Sequence, residues 1–299
     1  MKEEEAHSLV KHLGSVLAKA ESRKGGVLAA MVGDSLATAR RVLPASFTAK
    51  EIAEAEAFWG KGCDNYKARD YSEAAKWFRK AAELGHAISQ RNLGWCYQCG
   101  LGLPRDFAEA EKWYRKAAEQ GDTYYQYELG LFYESARDMP HDFVEAVKWY
   151  RKAADQGDFS AQYRLGECYA TGRGVPQDYS EAVKWYLKAA EQGDADAQFL
   201  LGGCYCEGKG VPQNYAEAAM WYRKAAEQGY DEAQHIIGIF YRDGKGVAKD
   251  MVEAYKWVSL AAEQGNEEAE KGLSLLKPLM SAEQIQEGER RALPILKTM

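Results

Sequence analysis

The chain has 299 residues, of which 46% are hydrophobic, and this is enough to bury a substantial core, so a wholly disordered chain is excluded. Its formal net charge of −6 makes it a poor candidate for general binding of nucleic-acid backbones. The longest unbroken apolar run is Val27–Val32, far short of the ~20 residues that cross a membrane, so we expect no membrane association. The acidic start Met1–Glu5 does not fit a signal peptide, which favours a cytoplasmic protein.

A tryptophan recurs at a constant spacing of 36 residues through most of the chain. The six tryptophans in this register are Trp77, Trp113, Trp149, Trp185, Trp221 and Trp257. A glycine follows each of them with the same spacing, at Gly85, Gly121, Gly157, Gly193, Gly229 and Gly265. An internal repeat of this length is typical of solenoids, in which each unit packs only on its neighbours.

One unit, residues 158–193, predicts two helices joined by a short loop. The first follows the N-cap candidate Asp158 and places apolar residues at helical spacing over Ala161–Tyr169. It ends at the glycines and proline of Thr171–Pro176. The second helix begins at Asp178, which fits a capping box with Glu181. The same Asp/Asn-x-x-Glu pair recurs as Asp70/Glu73, Asp106/Glu109, Asp142/Glu145, Asn214/Glu217 and Asp250/Glu253.

This unit resembles the Sel1-like repeat, a relative of the tetratricopeptide repeat. The matching segments are A-x-x-x-L-G-x-x-Y at Ala161–Tyr169, G-x-G-V-P-x-D-Y at Gly172–Tyr179 and E-A-x-K-W-Y-x-K-A-A-E-Q-G at Glu181–Gly193. The resemblance implies an all-α fold, a right-handed α-solenoid of Sel1-like and tetratricopeptide-like hairpins with roughly sixteen helices.

The repeat register divides the chain into four parts. We predict a degenerate N-terminal helical cap over residues 1–57, a tetratricopeptide-like hairpin over 58–85, five repeats of 36 residues over 86–265, and C-terminal capping helices over 266–299. The loop Ser135–Pro140 lacks the glycines of its neighbours, so we also expect a local departure around residues 123–140.

The positions of the cysteines indicate packing in the core more than a metal or redox site. Cys96, Cys168 and Cys204 share one repeat position and predict core fillers, although Cys96 and Cys99 have C-x-x-C spacing. No second C-x-x-C or histidine pair completes a zinc site, so we predict no metal and no cofactor. The glycine pairs recur once per repeat and predict turns, since a dinucleotide fingerprint occurs once and after a strand. Secreted relatives can carry a regular cysteine pair in each unit, which this chain lacks, so we expect a reducing, bacterial cytoplasm.

The side of each first helix that faces away from the core varies from unit to unit, whereas core positions repeat. In residues 158–193 this side carries Ser160, Tyr163, Glu167 and Ala170. The resemblance implies that it lines a concave surface on which the family commonly holds its partners. The predicted partner-binding residues are Arg91, Trp95, Tyr124, Tyr127, Leu131, Tyr163, Glu167, Phe199, His235 and Arg242. Aromatic and Arg side chains dominate interface hot spots. The alternative is that superhelical curvature packs some of them against the next unit.

These features favour a non-enzymatic protein–protein interaction scaffold or adaptor that binds a peptide or protein partner. The resemblance also implies an alternative, an inhibitor or immunity protein that neutralises a bacterial toxin or effector. A third hypothesis is a hydrolase acting on a cell-wall-related substrate, for which Glu167, His235 and Cys206 are the candidates, although they lie on different units. We predict no catalytic residue, and the sequence leaves the partner's identity and the oligomeric state open.

Overall fold

The computed structural model describes residues 48–135 and 141–296. Within these ranges the chain forms fourteen α-helices and one short 3-10 helix, and no strand. The helices fall into two compact units, the first ending at His141 and the second beginning at Asp142. The predicted all-α fold of tandem hairpins is confirmed. Most of the predicted N-terminal cap, residues 1–47, lies outside the described residues, as does the loop 136–140.

The described part of the first unit contains five helices. They are α1 (Ala49–Lys67), α2 (Tyr71–Glu83), α3 (Ala87–Cys99), α4 (Phe107–Ala118) and α5 (Thr123–Ser135). Helices α1 and α2 form one hairpin and α3 and α4 the next, while α2 packs on α3 and α4 on α5. Helix α1 runs through residues 57 and 58, where the N-terminal cap was predicted to end.

In the second unit, residues 142–296 form nine helices. They are α6 (Phe143–Asp155), α7 (Phe159–Thr171), α8 (Tyr179–Glu191), α9 (Ala195–Glu207), α10 (Tyr215–Glu227), α11 (Asp231–Asp243), α12 (Met251–Glu263), α13 (Glu267–Leu276) and α14 (Ala282–Leu296), with the 3-10 helix Lys277–Leu279 before α14. The hairpins are α7–α8, α9–α10 and α11–α12, and both α13 and α14 pack against α12. Val258, Ala261, Ala269 and Leu276 form an apolar cluster at this end.

The second helix of a hairpin is capped as predicted, but the reciprocal half of the predicted capping box is wrong. Asp178 Oδ1 accepts from the backbone N–H of Ser180 at 2.8 Å and of Glu181 at 3.1 Å. The Asp178 N–H is already donated to the Tyr169 carbonyl, at 2.9 Å, so Glu181 has no donor to accept from there. The Glu181 carboxylate instead binds Lys184 Nζ at 2.5 Å. The hydrogen bond from the Asp178 N–H to the preceding helix therefore takes the place of the bond that would complete the capping box.

The repeated glycines and cysteines behave as the sequence predicts. Cys96, Cys168 and Cys204 are buried. Gly174 lies in the loop with a φ of +72°. A β-carbon added to it would lie 2.1 Å from the carbonyl oxygen of Phe143, so this glycine is required both by the turn and by close packing on helix α6.

A ladder of buried glutamines, which the sequence analysis missed, links three helices at a time. Gln162 Nε2 donates to the Ala154 carbonyl of α6 at 3.1 Å, and Gln192 Nε2 at the end of α8 donates to Gln162 Oε1 at 2.8 Å. The same donor–acceptor chain occurs at Gln90/Gln120, Gln198/Gln228 and Gln234/Gln264. Because a buried amide without partners is costly, this chain fixes how successive hairpins align.

Candidate partner-binding face

The predicted partner-binding residues lie on the first helices of the hairpins, five in each compact unit. In the first unit they are on α3 and α5, and in the second on α7, α9 and α11. We call these two surfaces the first face and the second face. Arg91 is buried and the other nine residues are half-buried. The structure thus places all ten partly within their own unit, and their role in binding a partner stays a prediction.

On the first face, Arg91 is held by its own unit. Only 9% of this residue is exposed. Its Nε and Nη2 atoms donate to Glu128 Oε2 on α5 at 3.2 and 3.0 Å, and Nη2 lies 3.5 Å from Tyr124 Oη. Arg91 therefore packs within the protein, as the alternative interpretation predicted, since a carboxylate and a phenol already surround its guanidinium.

The aromatic residues of the first face also contact their own unit. Trp95 is half-buried and lies beside Tyr66 of α1, whose pKa is raised by burial. Tyr127 and Leu131 are half-buried on α5. Beneath this face, Tyr114 Oη of α4 donates to Gln98 Oε1 of α3 at 2.8 Å. The hydrogen-bonding capacity of the Tyr114 hydroxyl is therefore used within the protein.

On the second face, aromatic rings form a layer over the tyrosines of the second helices. Phe199 stacks on Tyr230, with ring centroids 4.8 Å apart, and lies 5.6 Å from the ring of Tyr222. Tyr163 lies 6.4 Å from the ring of Tyr186. Phe199 and Tyr163 remain half-buried, so part of each side chain is left to solvent.

Carboxylates surround these rings. Burial, followed by the charges of Glu167 and Asp196, raises the pKa of Tyr163. Burial, followed by Asp196 and Glu232, raises the pKa of Tyr230 to about 12. Burial is the main cause of both shifts, and the neighbouring carboxylates add to it because a phenol ionises less readily next to an anion.

Few cations balance these carboxylates. Arg164 Nη1 binds Glu167 Oε2 at 2.9 Å, and Arg242 binds Asp243 through two hydrogen bonds of 2.7 and 2.9 Å. Within the part of the chain that the structure describes, neither Asp196 nor Glu232 forms an ion pair. The neighbouring Asp231 carboxyl is hydrogen-bonded to Glu232 and raises its pKa. The second face therefore carries an excess of negative charge.

A hollow opens in the second face at Gly203. The equivalent residues of other first helices are Trp95, Leu131, Glu167 and Ile239. A β-carbon added at Gly203 would have a single neighbour within 4 Å, Tyr222 Oη at 3.6 Å. Tyr222 is 5% exposed, and its hydroxyl has no hydrogen-bond partner among the described residues. Its counterpart Tyr114 is bound by Gln98, but the residue equivalent to Gln98 here is Cys206.

The tyrosine of the preceding hairpin shares this property. Tyr186 is 3% exposed, and across residues 48–135 and 141–296 no hydrogen bond reaches its hydroxyl. Burial, followed by the charge of Glu167, raises the pKa of Tyr186. Sequence reasoning missed both tyrosines because they repeat, and repetition indicated core packing. The available signal was the loss of a hydrogen-bonding side chain at Ala170 and Cys206.

The residues considered for hydrolysis do not meet. Glu167 binds Arg164, Cys206 Sγ lies 4.0 Å from Lys245 Nζ, and His235 Nε2 lies against Gly272 of α13. Burial lowers the pKa of His235. No two of the three candidates form a hydrogen bond in the described chain. The described residues also contain no group of His, Cys, Asp and Glu that could hold a metal ion.

None of the described helices is both long and apolar enough to cross a membrane.

Comparison with known families and structures gives a consistent fold. The family described as Sel1 repeat matches residues 53–86, 87–122, 123–158, 159–194, 195–230 and 231–266. The chain is similar to a Sel1 repeat protein from Oxalobacter formigenes, with 34% identity, 80% of this chain and 96% of that chain covered, and a TM-score of 0.61. No curated protein matches the chain.

Two further solved structures share less of the sequence. One is a protective antigen of uropathogenic Escherichia coli with an SLR fold, at 29% identity and a TM-score of 0.48, covering 83% of this chain. The chain spans 62% of the length of that protein. The other is an immunity protein from Pseudomonas aeruginosa, at 22% identity and a TM-score of 0.43, with 77% of this chain and 86% of that chain covered.

Proposed function

Because the chain belongs to the Sel1 repeat family, we propose that it is a non-enzymatic scaffold or adaptor that binds a protein or peptide on its second face. The observation that carries this proposal is the aromatic layer of Tyr163 and Phe199, which stays partly exposed to solvent. Half-exposed aromatic side chains held by rigid helices are typical anchors of protein interfaces. The first face instead stabilises the fold, since the guanidinium of Arg91 is already bound by Glu128.

We extend the proposal to a bacterial cytoplasm. All six cysteines are free thiols, including the exposed Cys99, and free thiols persist in a reducing compartment.

The test is capture of a partner by the double variant Tyr163→Ala/Phe199→Ala. Wild-type protein and variant are immobilised and exposed to a lysate of the native cell, and bound proteins are quantified by mass spectrometry. We expect the variant to lose the specific partner by about tenfold or more, because two hot-spot anchors are removed together. The identity of the partner also separates an adaptor from an inhibitor, since an inhibitor would capture an enzyme whose activity falls on binding.

A matched control uses an exposed apolar residue of a second helix. Met220 is 40% exposed on α10, whereas the second face is formed by first helices, so Met220→Ala should capture the partner as the wild type does. Far-UV circular dichroism should show equal helicity for all three proteins. Capture that survives the double variant, or that falls equally in Met220→Ala, contradicts a partner site on the second face.

A further inference from the structure

We propose that the second face takes a basic segment of its partner, and that a Lys or Arg side chain of this segment enters the hollow at Gly203. The inference rests on the proposed function and names the chemistry of the partner. Two features of the second face support it, its carboxylates without ion-pair partners and its phenols without hydrogen-bond partners, and the first face shows how a cation is held in a comparable environment.

The carboxylates provide the attraction. Asp196 and Glu232 occupy equivalent positions of α9 and α11, on the side of each helix that carries Phe199 and His235. Both are exposed, and neither has an ion-pair partner in the described chain. Arg164 is already bound to Glu167, so the attraction for an incoming cation comes from the other two carboxylates. An acidic segment would meet repulsion at the same place.

The hollow provides the position. Its floor is the hydroxyl of Tyr222, a residue 95% buried that has no hydrogen-bond partner in the described part of the protein. A hydroxyl that no group of the protein binds can form a hydrogen bond with a ligand that supplies one. A Lys ammonium or Arg guanidinium can donate to this oxygen, and its aliphatic stem can lie along Phe199. The rings of Phe199 and Tyr230 add a cation–π attraction for the same charge.

The first face shows how a cation is held in a comparable environment. Arg91 stands at the position equivalent to Phe199, and its guanidinium binds Glu128 and lies near Tyr124 Oη. Burial lowers the pKa of Arg91, but the charge of Glu128, with smaller contributions from Tyr124 and Tyr114, raises it overall. On the second face Phe199 replaces this arginine, and Arg164 is already bound to Glu167, so Asp196 and Glu232 are left for a cation from a partner.

The experiment selects peptides and then measures one of them. A random peptide library displayed on phage is panned on the full-length protein, and the recovered sequences are compared with the unselected library. We expect enrichment in Lys and Arg. A recovered peptide is then synthesised with a fluorescent label, and its Kd is measured by anisotropy for the wild type and for variants at low and at physiological salt.

Two variants test the two features separately. Asp196→Asn/Glu232→Gln removes the unbalanced charge, and we expect a Kd about tenfold weaker together with a reduced dependence on salt. Gly203→Leu fills the hollow with the side chain that α5 carries at Leu131, and we also expect about a tenfold loss. The charge control is Glu227→Gln/Glu263→Gln, which neutralises two exposed carboxylates at the ends of α10 and α12 and should change the Kd by less than about twofold.

The outcomes separate this inference from the proposed function. Recovered peptides without enrichment in Lys or Arg, whose binding is still lost in Tyr163→Ala/Phe199→Ala, overturn the basic partner and leave the binding face intact. Equal weakening in the charge control also overturns it, since the effect would then be one of net charge. Unchanged binding by Gly203→Leu overturns insertion into the hollow. A library that yields no peptide, or only peptides insensitive to the aromatic variant, overturns both proposals.

Discussion

The pair Gly94–Trp95 of α3 and the pair Gly202–Gly203 of α9 occupy the same two positions of the repeat. A β-carbon at Gly94 would lie 3.2 Å from the ring of the tyrosine on the next helix, and one at Gly202 would lie 2.8 Å from Tyr222 Cδ1. The first glycine is thus required by the close approach of two helices in both hairpins. The second position has no such requirement, since it carries Trp95 in one unit and a glycine over open space in the other.

The outward positions of the first helices have different surroundings in the two units. In the first unit the outward positions are filled by large side chains that contact their own unit, with Arg91 and Glu128 joining two helices. In the second unit Gly203 leaves one of these positions open, the hydroxyls of Tyr186 and Tyr222 have no hydrogen-bond partner in the described chain, and Asp196 and Glu232 form no ion pair there. One repeat design therefore yields a face that stabilises the fold and a face that we propose for the partner.

The largest effect is expected from Gly202→Leu. The added side chain would begin 2.8 Å from the ring of Tyr222, which is 95% buried and cannot move aside without disturbing the core. Such overpacking costs about 3 kcal/mol or more of unfolding free energy. Urea denaturation followed by circular dichroism should show a clearly lower midpoint than the wild type.

The matched control for this variant is Gly203→Leu, one residue further along α9. It adds the same side chain to the same helix but on the open side, so its midpoint should remain close to that of the wild type. Equal destabilisation by both substitutions would contradict the assignment of one glycine to packing and the other to the surface.

A contrast between first helices predicts a dependence on pH. The N-cap residues of α7 and α9, Asp158 and Asp194, accept backbone N–H groups, but the N-cap of α3 is His86, whose ring makes no such bond. His86 is buried, its Nδ1 lies 2.8 Å from Ser89 Oγ, and burial lowers its pKa from 6.5 to about 4. The unfolded chain therefore binds this proton more readily than the folded one.

The resulting stability is present above pH 6.5 and is lost as the pH falls from 6.5 towards 4. The loss for this one group reaches about 3 kcal/mol at the acid end of that window. His86→Asn should remove it, because Asn cannot titrate and caps α13 at Asn266. Unfolding free energies of both proteins across the window provide the measurement. The same acid dependence in wild type and variant would show that His86 is not its source.

The sequence predicted those features that depend on spacing along one chain segment. The register of the tryptophans predicted the hairpins, and Asp178 predicted the start of α8. The capping box failed because the Asp178 N–H is used by Tyr169 of another helix. Spacing within one segment does not reveal such a tertiary competitor.

The candidate site shows the same limit. A helical wheel indicated which side of each first helix faces outward, but it did not show that Arg91 would be covered by Glu128, 37 residues away. It also treated Tyr222 as a constant core residue. The environment of the Tyr222 hydroxyl depends on what stands at Gly203 and Cys206 on the facing helix, so it emerges only when the two helices are packed together.

The smallest effect on stability is expected from Gly203→Ala. Ala is favoured over Gly inside a helix by about 0.5–1 kcal/mol, and the new methyl group would meet only Tyr222 Oη at an ordinary contact distance of 3.6 Å. The urea midpoint should therefore rise slightly, whereas Gly202→Ala, which adds the same methyl group on the packed side, should lower it. A fall in the Gly203→Ala midpoint would mean that the hollow is closed in solution. If instead stability rises while peptide binding weakens, the glycine serves the partner at the expense of the fold, since the more stable residue is the one that obstructs the hollow.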